Sequence, residues 1–142
     1  MPQVAANGLE LEYETFGSSS DPSLLLIMGL GMQLIAWPQP FCEELAEKGF
    51  HVIRYDNRDT GFSTKFDGVK APGLPALLVR SFLRLPIRVP YTLYDMAEDA
   101  TGLLDALDIP SAHVVGASMG GMIAQNLAAR FPERVRSLTS IM

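Results

Sequence analysis

The residues with the clearest chemical potential form a short glycine-rich segment, Gly116–Gly120, which reads GASMG. A G-x-S-x-G pattern between a strand and a helix places its serine on a sharp turn, with the hydroxyl exposed above the sheet. An apolar run from Ala112 to Val115 precedes the segment, and a helical pattern follows it from Gly120 to Phe131. We therefore predict that Ser118 is a nucleophile. Gly116 and Gly120 are expected to allow the close approach of strand and helix at the turn.

A serine that attacks a carbonyl group also needs hydrogen-bond donors for the negative oxygen that develops there. The backbone N–H of Met119 is one candidate, because it lies at the positive end of the following helix. The loop after the apolar run Leu24 to Met28 is the second candidate, and it reads Gly29-Leu30-Gly31. The spacing thus predicts one site built from two separate loops.

The two glycines of that loop also permit a different reading, as the start of a dinucleotide-binding G-x-G-x-x-G. Leu34 occupies the position of the third glycine. The next predicted strand does end in an acidic residue, Asp56, but the intervening loop does not fit this motif. We therefore favour the oxyanion loop and expect no nucleotide cofactor.

The remaining elements would position these loops. Leu9, Leu11 and Tyr13 alternate with glutamates, which predicts a strand with one face in water. Asn7-Gly8 before it is a strong hairpin signal, so Gln3 to Ala6 should pair with it in antiparallel orientation. The run Leu24 to Met28 is apolar at every position, as in a strand of a parallel sheet that is covered on both faces.

Helical patterns alternate with the strands. The first spans Gln39 to Lys48, with Phe41, Cys42 and Leu45 predicted to point inward. The second begins at a capping-box sequence around Thr92. This alternation predicts an α/β fold, a doubly wound, mostly parallel sheet of about six strands with an N-terminal antiparallel hairpin. We expect residues 1–142 to form a single domain.

Composition narrows the function classes. The 142 residues are 48% apolar and 19% charged, with a net charge of −5, which is typical of a globular protein and unfavourable for nucleic-acid binding. The single Cys42 cannot form an internal disulfide. No signal peptide is recognisable and no apolar run is long enough to span a membrane, so we expect a cytoplasmic protein. The sequence offers no ligand cluster, and no metal is expected.

Three motifs together resemble the α/β-hydrolase family, and the resemblance covers essentially the whole chain. The loop at Gly29 is similar to the family's H-G-x-G, with Met28 in place of the histidine. Residues 56–63, reading DNRDTGFS, are similar to D-x-R-G-x-G-x-S, with Asp59 in place of a glycine. The third motif is the nucleophile elbow at Ser118.

The resemblance implies a serine hydrolase that acts on small carboxylic esters. The sequences of the three motifs are most similar to those of the methylesterase branch. It assigns the oxyanion hole to the N–H groups of Leu30 and Met119, with Gly29 and Gly31 shaping the loop. It implies no metal and no organic cofactor.

In this family the acid and the histidine of the triad follow the serine. After Ser118 this sequence contains one acidic residue, Glu133, and no histidine. His113 begins the strand before Ser118 and should lie roughly 16 Å from it, and His51 begins another strand at the same edge. We therefore expect an incomplete α/β-hydrolase fold whose acid and base come from a missing C-terminal portion or a second chain.

The predicted last strand, Val135–Met142, would then be an apolar edge open to pairing. It predicts association with a complementary C-terminal hydrolase fragment or with a second copy. The alternative is a non-catalytic, truncated half-hydrolase that acts as a binding or assembly module.

An insert with a short helix is predicted at about 65–91. Arg80, Arg84 and Arg88 recur there at a spacing of four. Such a helix could be an interfacial or lid helix, or an ordinary surface helix with a solvated basic face, which we favour.

Overall fold

The computed structural model describes residues 1–66, 79, 82–83 and 89–141 of the chain. Its strands are β1 (Gln3–Ala6), β2 (Leu9–Phe16), β3 (Ser23–Ile27), β4 (His51–Tyr55), β5 (Ala112–Ala117) and β6 (Val135–Ile141). Its longer helices are α1 (Gln39–Glu47), α2 (Leu93–Ala106) and α3 (Met119–Arg130), and short 3-10 helices cover Leu34–Ala36 and Pro132–Arg134. The helix predicted in the insert lies almost entirely outside the described residues.

The strands form one six-stranded sheet in the order β1-β2-β4-β3-β5-β6. The pairs β1/β2 and β2/β4 are antiparallel, and the pairs of β3 with β4, β3 with β5 and β5 with β6 are parallel. The predicted α/β class, the six strands and the N-terminal hairpin are therefore confirmed.

The hairpin between β1 and β2 depends on its two turn residues. Asn7 and Gly8 both adopt positive φ, 50° and 75°, as a two-residue type I′ turn requires. Asn7 tolerates this region better than most side chains, and Gly8 enters it without a steric penalty. Ala6 consequently pairs directly with Leu9.

Strand β3 separates two apolar cores, and all five of its residues are buried. Leu25 and Ile27 pack on the side of α2 and α3, whereas Leu24 and Leu26 pack on the side of α1. Burial on both faces explains why β3 is apolar at every position after Ser23.

One predicted core residue is placed differently. Cys42 is fully buried and Leu45 is partly buried on α1, but Phe41 is exposed. Phe41 stacks on Trp37, with their ring centroids 5.8 Å apart. The aromatic contact holds Phe41 at the rim of this core, and its prediction as an inward residue was wrong.

The prediction that the glutamates of β2 form one face in water holds for Glu10 but is wrong for Glu12 and Glu14. Glu12 is buried, and its backbone N–H donates to Ser63 Oγ at 3.0 Å. Glu14 is half-buried and accepts from Nε of the buried Arg54 on β4 at 2.9 Å. The loop after β4 and the Arg54 side chain therefore cover this face.

A second buried ion pair joins that loop to α2. Arg58 donates from Nε and Nη2 to the two carboxylate oxygens of Asp99, each at 2.6 Å, and Asn7 Nδ2 donates to Asp99 Oδ1 at 2.8 Å. Burial alone would lower the pKa of Arg58, but the hydrogen bonds and charge of Asp99 outweigh it and raise that pKa above its ordinary value. The pair ties the hairpin turn, the loop and the helix together.

The predicted capping box at the start of α2 is present. Asp95 N donates to Thr92 Oγ1 at 3.4 Å, and Thr92 N donates back to Asp95 Oδ2 at 2.6 Å. The hydrogen bonds from Thr92 lower the pKa of Asp95.

Among the residues that the structure describes, no helix has the length and apolar character needed to cross a membrane.

Candidate active site

Ser118 lies on the turn between β5 and α3 and is exposed. Its φ is 54° and its ψ is −124°, a backbone conformation that non-glycine residues rarely adopt. Its N–H donates to the Ile141 carbonyl of β6 at 2.8 Å, and its carbonyl accepts from Gly121 N at 2.8 Å. These two bonds hold the strained residue in place.

Two glycines make this turn sterically possible. A Cβ at Gly116 would overlap the Gly120 carbonyl oxygen and lie 2.7 Å from Gly121 N. A Cβ at Gly120 would overlap the Ile27 carbonyl and lie 2.8 Å from the Met28 carbonyl oxygen. Backbone therefore fills the space on both sides of the serine, as the sequence pattern predicts.

We expect Gly120→Ala to lower the free energy of unfolding by about 3 kcal/mol, because the new methyl group meets backbone that cannot move aside. Gly121→Ala is the matched control in the same helical turn. Its Cβ would meet the Ser140 Oγ at 2.6 Å, a side-chain atom that can rotate away, and its nearest backbone atom would be the Gly116 carbonyl oxygen at 3.2 Å. Alanine also favours the helix by about 1 kcal/mol over glycine. Urea unfolding of both variants checks this, and equal losses would contradict it.

The Gly29 loop lies directly against the serine. A Cβ at Gly29 would be 3.1 Å from Ser118 Cβ and 3.3 Å from the Ala117 carbonyl oxygen. The loop forms a turn in which Met32 N donates to the Gly29 carbonyl at 3.3 Å. Gly31 has φ of 67°, as the third residue of a type II turn requires. The structure thus brings together the two loops that the sequence singled out.

The two predicted oxyanion donors are backbone N–H groups of Leu30 and Met119, on either side of the serine turn. Met119 is the first residue of α3, and the N–H of a first helical residue has no acceptor within the helix. Leu30 is 77% exposed, and its N–H has no acceptor among the described residues. Both groups are therefore available to a ligand at Ser118.

The loop after β4 packs behind the Gly29 turn. Asn57 Nδ2 donates to the Met28 carbonyl at 2.9 Å, and Leu34 N donates to Asp56 Oδ1 at 2.6 Å. Both side chains are buried. Asp59 has φ of 63°, a conformation that favours the glycine of the motif and that aspartate tolerates. The motif was recognised in the sequence, but these contacts were not predicted.

Neither histidine lies near Ser118. His51 is the first residue of β4 and His113 is the second residue of β5, whereas Ser118 follows the end of β5. His113 Nδ1 is 2.7 Å from Ser137 Oγ. Burial lowers the pKa of His51, opposed by the charge of Asp21. Glu133 lies in the 3-10 helix beyond the far end of α3. None of these groups is positioned to take the serine proton.

The described residues contain no group of three or more metal-binding side chains close enough to hold an ion. A surface depression of about 590 Å³ lies between the hairpin turn and α2, lined among others by Ala6, Asn7 and Gly102. Its lining includes neither Ser118 nor any residue of the Gly29 loop. We therefore place the candidate site at the serine turn.

A mostly parallel sheet, a strained serine between strand and helix, and a glycine loop beside it together define the class of α/β hydrolases. The family model described as "alpha/beta hydrolase fold" matches residues 22–142. The chain belongs to the α/β-hydrolase family.

Individual relatives are similar over nearly the whole of this chain. It is 39% identical to the Rhodomycin D methylesterase DauP of Streptomyces sp. (strain C5), covering 98% of this chain and 41% of the relative. It is 35% identical to a putative carbamate hydrolase RutD of Variovorax paradoxus, covering 94% of this chain and 42% of the relative. The chain thus spans about two fifths of the length of these curated relatives.

A solved structure is also similar to nearly the whole of this chain, over less than half of its own length. The enol-lactonase from Burkholderia xenovorans LB400 is 34% identical, with a TM-score of 0.74. The match covers 96% of this chain and 45% of that one. The sheet and loops described above therefore correspond to part of a larger hydrolase fold.

Proposed function

We propose that this chain is the nucleophile-bearing part of a serine hydrolase that cleaves carboxylic esters through an acyl-enzyme on Ser118. One observation carries the proposal. The exposed Ser118 is held at positive φ at the start of α3, with the Gly29 loop packed against it. A strained conformation of this kind persists at functional sites because the surrounding structure enforces it.

The proposed reaction begins when Ser118 Oγ attacks the ester carbonyl carbon and its proton passes to a general base. The carbonyl oxygen becomes negative and accepts from the N–H groups of Leu30 and Met119. The carbon–oxygen bond to the alcohol then breaks, and the alcohol leaves with a proton from the base. The base then takes a proton from water, which attacks the acyl carbon. The bond from that carbon to Ser118 Oγ breaks, the carboxylic acid leaves, and the base returns the proton to the serine.

The base and its acid partner are proposed to come from outside residues 1–142. His51 and His113 lie at the N-terminal ends of their strands, whereas Ser118 follows the C-terminal end of β5. Glu133 lies beyond the far end of α3. The outer edge of β6 is open, with Leu138 39% exposed and Ile141 48% exposed. We propose that a C-terminal hydrolase portion or a second chain pairs there and supplies both groups.

An ester is the substrate class that we favour. Two relatives are named for ester chemistry, as a methylesterase and an enol-lactonase. A third is named a carbamate hydrolase, and a carbamate carbonyl would undergo the same attack. The proposed mechanism uses no metal and no cofactor.

The second candidate is a half-hydrolase that binds or assembles without catalysis. Both histidines lie at the N-terminal ends of their strands, away from Ser118, and this position favours the non-catalytic candidate.

Intact-mass measurement of the native protein before and after a fluorophosphonate probe distinguishes the two candidates. An adduct on Ser118 is expected for a serine hydrolase, and a second polypeptide in the spectrum would identify a partner chain. Denatured protein is the control for non-specific labelling. A folded protein without an adduct would favour the non-catalytic candidate.

A further inference from the structure

The turn that carries Leu30 is held at both ends by two consecutive residues of another loop. Before the turn, the Met28 carbonyl accepts from Asn57 Nδ2 at 2.9 Å. After the turn, Leu34 N donates to Asp56 Oδ1 at 2.6 Å. Both contacts are buried, where hydrogen bonds lack competition from water.

These contacts determine where the Leu30 N–H points. The Leu30 N–H and the Gly29 carbonyl belong to one trans peptide group, so they point in opposite directions. The Gly29 carbonyl is directed into the turn, because it accepts from Met32 N at 3.3 Å. The Leu30 N–H must therefore point out of the turn. Any rotation of the turn would redirect that N–H.

Asp56 is itself held firmly. Its second carboxylate oxygen accepts from Phe62 N at 3.2 Å, and its carbonyl accepts from Ser63 Oγ at 2.7 Å. Its own N–H donates to the Glu12 carbonyl at 2.9 Å. Gly61 leaves room for the carboxylate, since a Cβ there would overlap Asp56 Oδ2. The loop is therefore a fixed support.

The carbonyl that Asn57 holds also lies against the serine turn. The missing Cβ of Gly120 would be 2.8 Å from the Met28 carbonyl oxygen, and that of Gly29 would be 3.1 Å from Ser118 Cβ. A shift of the Met28–Gly29 peptide would therefore change the separation between the nucleophile and the Leu30 N–H.

We infer that Asp56 and Asn57 are positioning residues that aim the Leu30 N–H at the oxyanion formed on Ser118. The inference rests on the proposed function for its catalytic consequence. The hydrogen bonds that carry it are independent of any substrate.

Asn57→Ala in the native polypeptide that contains residues 1–142 is expected to lower kcat for p-nitrophenyl acetate by about 10- to 100-fold. KM should change by less than about threefold, because the oxyanion donor acts on the transition state. An alkyl trifluoromethyl ketone forms an oxyanion when the serine adds to its carbonyl. Its inhibition constant should rise by the same factor by which kcat/KM falls.

Thr64→Ala is the matched control, because it removes two side-chain hydrogen bonds between this loop and Glu10 but contacts neither Asp56, Asn57 nor the Leu30 turn. It should lower the melting temperature and leave kcat and the inhibition constant unchanged. Asp56→Asn retains an acceptor for Leu34 N and should preserve more activity than Asp56→Ala, which retains none.

Hydrogen exchange supplies a readout without substrate. Asn57→Ala should accelerate exchange at residues 29–34 and leave the helix after Ser118 protected. Unchanged exchange there, or a loss of kcat with no change in ketone affinity, would overturn the inference. A wild-type protein with no hydrolysis and no probe adduct would instead overturn the proposed function, and exchange would still decide whether the two residues hold the turn.

Discussion

In the native protein that carries the proposed base and acid, replacing Ser118 by alanine is expected to lower kcat for ester hydrolysis by about 10⁴-fold or more, with little change in KM. The hydroxyl is the group that bonds to the substrate carbon, and no neighbouring side chain in the described structure can replace it. The oxyanion donors are backbone groups, so the variant retains them and residual catalysis reports their contribution. Initial rates with p-nitrophenyl acetate measure the effect.

Ser140→Ala is the control for this substitution. Its hydroxyl lies near the same turn and accepts from Gln125 Nε2 at 3.1 Å on the exposed surface. We expect it to retain wild-type kcat and to accept the fluorophosphonate probe. A Ser118→Ala protein with a tenth or more of wild-type activity would exclude Ser118 as the nucleophile.

Replacing Asp99 by alanine is expected to lower the free energy of unfolding by about 3–5 kcal/mol. The substitution leaves the Arg58 guanidinium, which is only 7% exposed, without the carboxylate that it hydrogen-bonds. It also removes the acceptor for Asn7 Nδ2 at the hairpin turn. Urea unfolding followed by circular dichroism measures the change.

The double variant Arg58→Met, Asp99→Leu separates charge from packing. It should be substantially more stable than Asp99→Ala, because it leaves no buried charge unpaired. Glu98→Ala, on the adjacent and less buried position of α2, controls for the loss of a carboxylate from the helix. If Asp99→Ala costs less than about 1 kcal/mol, water must reach Arg58 and the pair is not a structural link.

The elements that the sequence predicted well are those that depend on local chemistry. Asn7-Gly8 forms its turn because the two residues accept positive φ. The apolar run in β3 is buried because helices cover both faces of the sheet. The glycines around Ser118 are required by backbone that lies within a few residues or on the adjacent strand.

The features that could not be predicted depend on polar contacts between distant parts of the chain. Arg58 and Asp99 are 41 positions apart, and Asn57 and the Met28 carbonyl are 29 apart. No periodic pattern indicates which of several charged residues will meet. The burial of Glu12 was missed for the same reason, because Ser63 in the loop that covers it is 51 positions away in the sequence.

The placement of the two site loops on neighbouring strands has a consequence for how the protein folds. Ile27 pairs with Gly116 across β3 and β5, immediately before the Gly29 loop and Ser118. These strands are far apart in the sequence, so closing the chain between them precedes any arrangement of the site. We therefore expect the two loops to meet only after β3 and β5 have paired. In the protein that carries the proposed base, labelling of Ser118 during refolding should begin no earlier than that pairing.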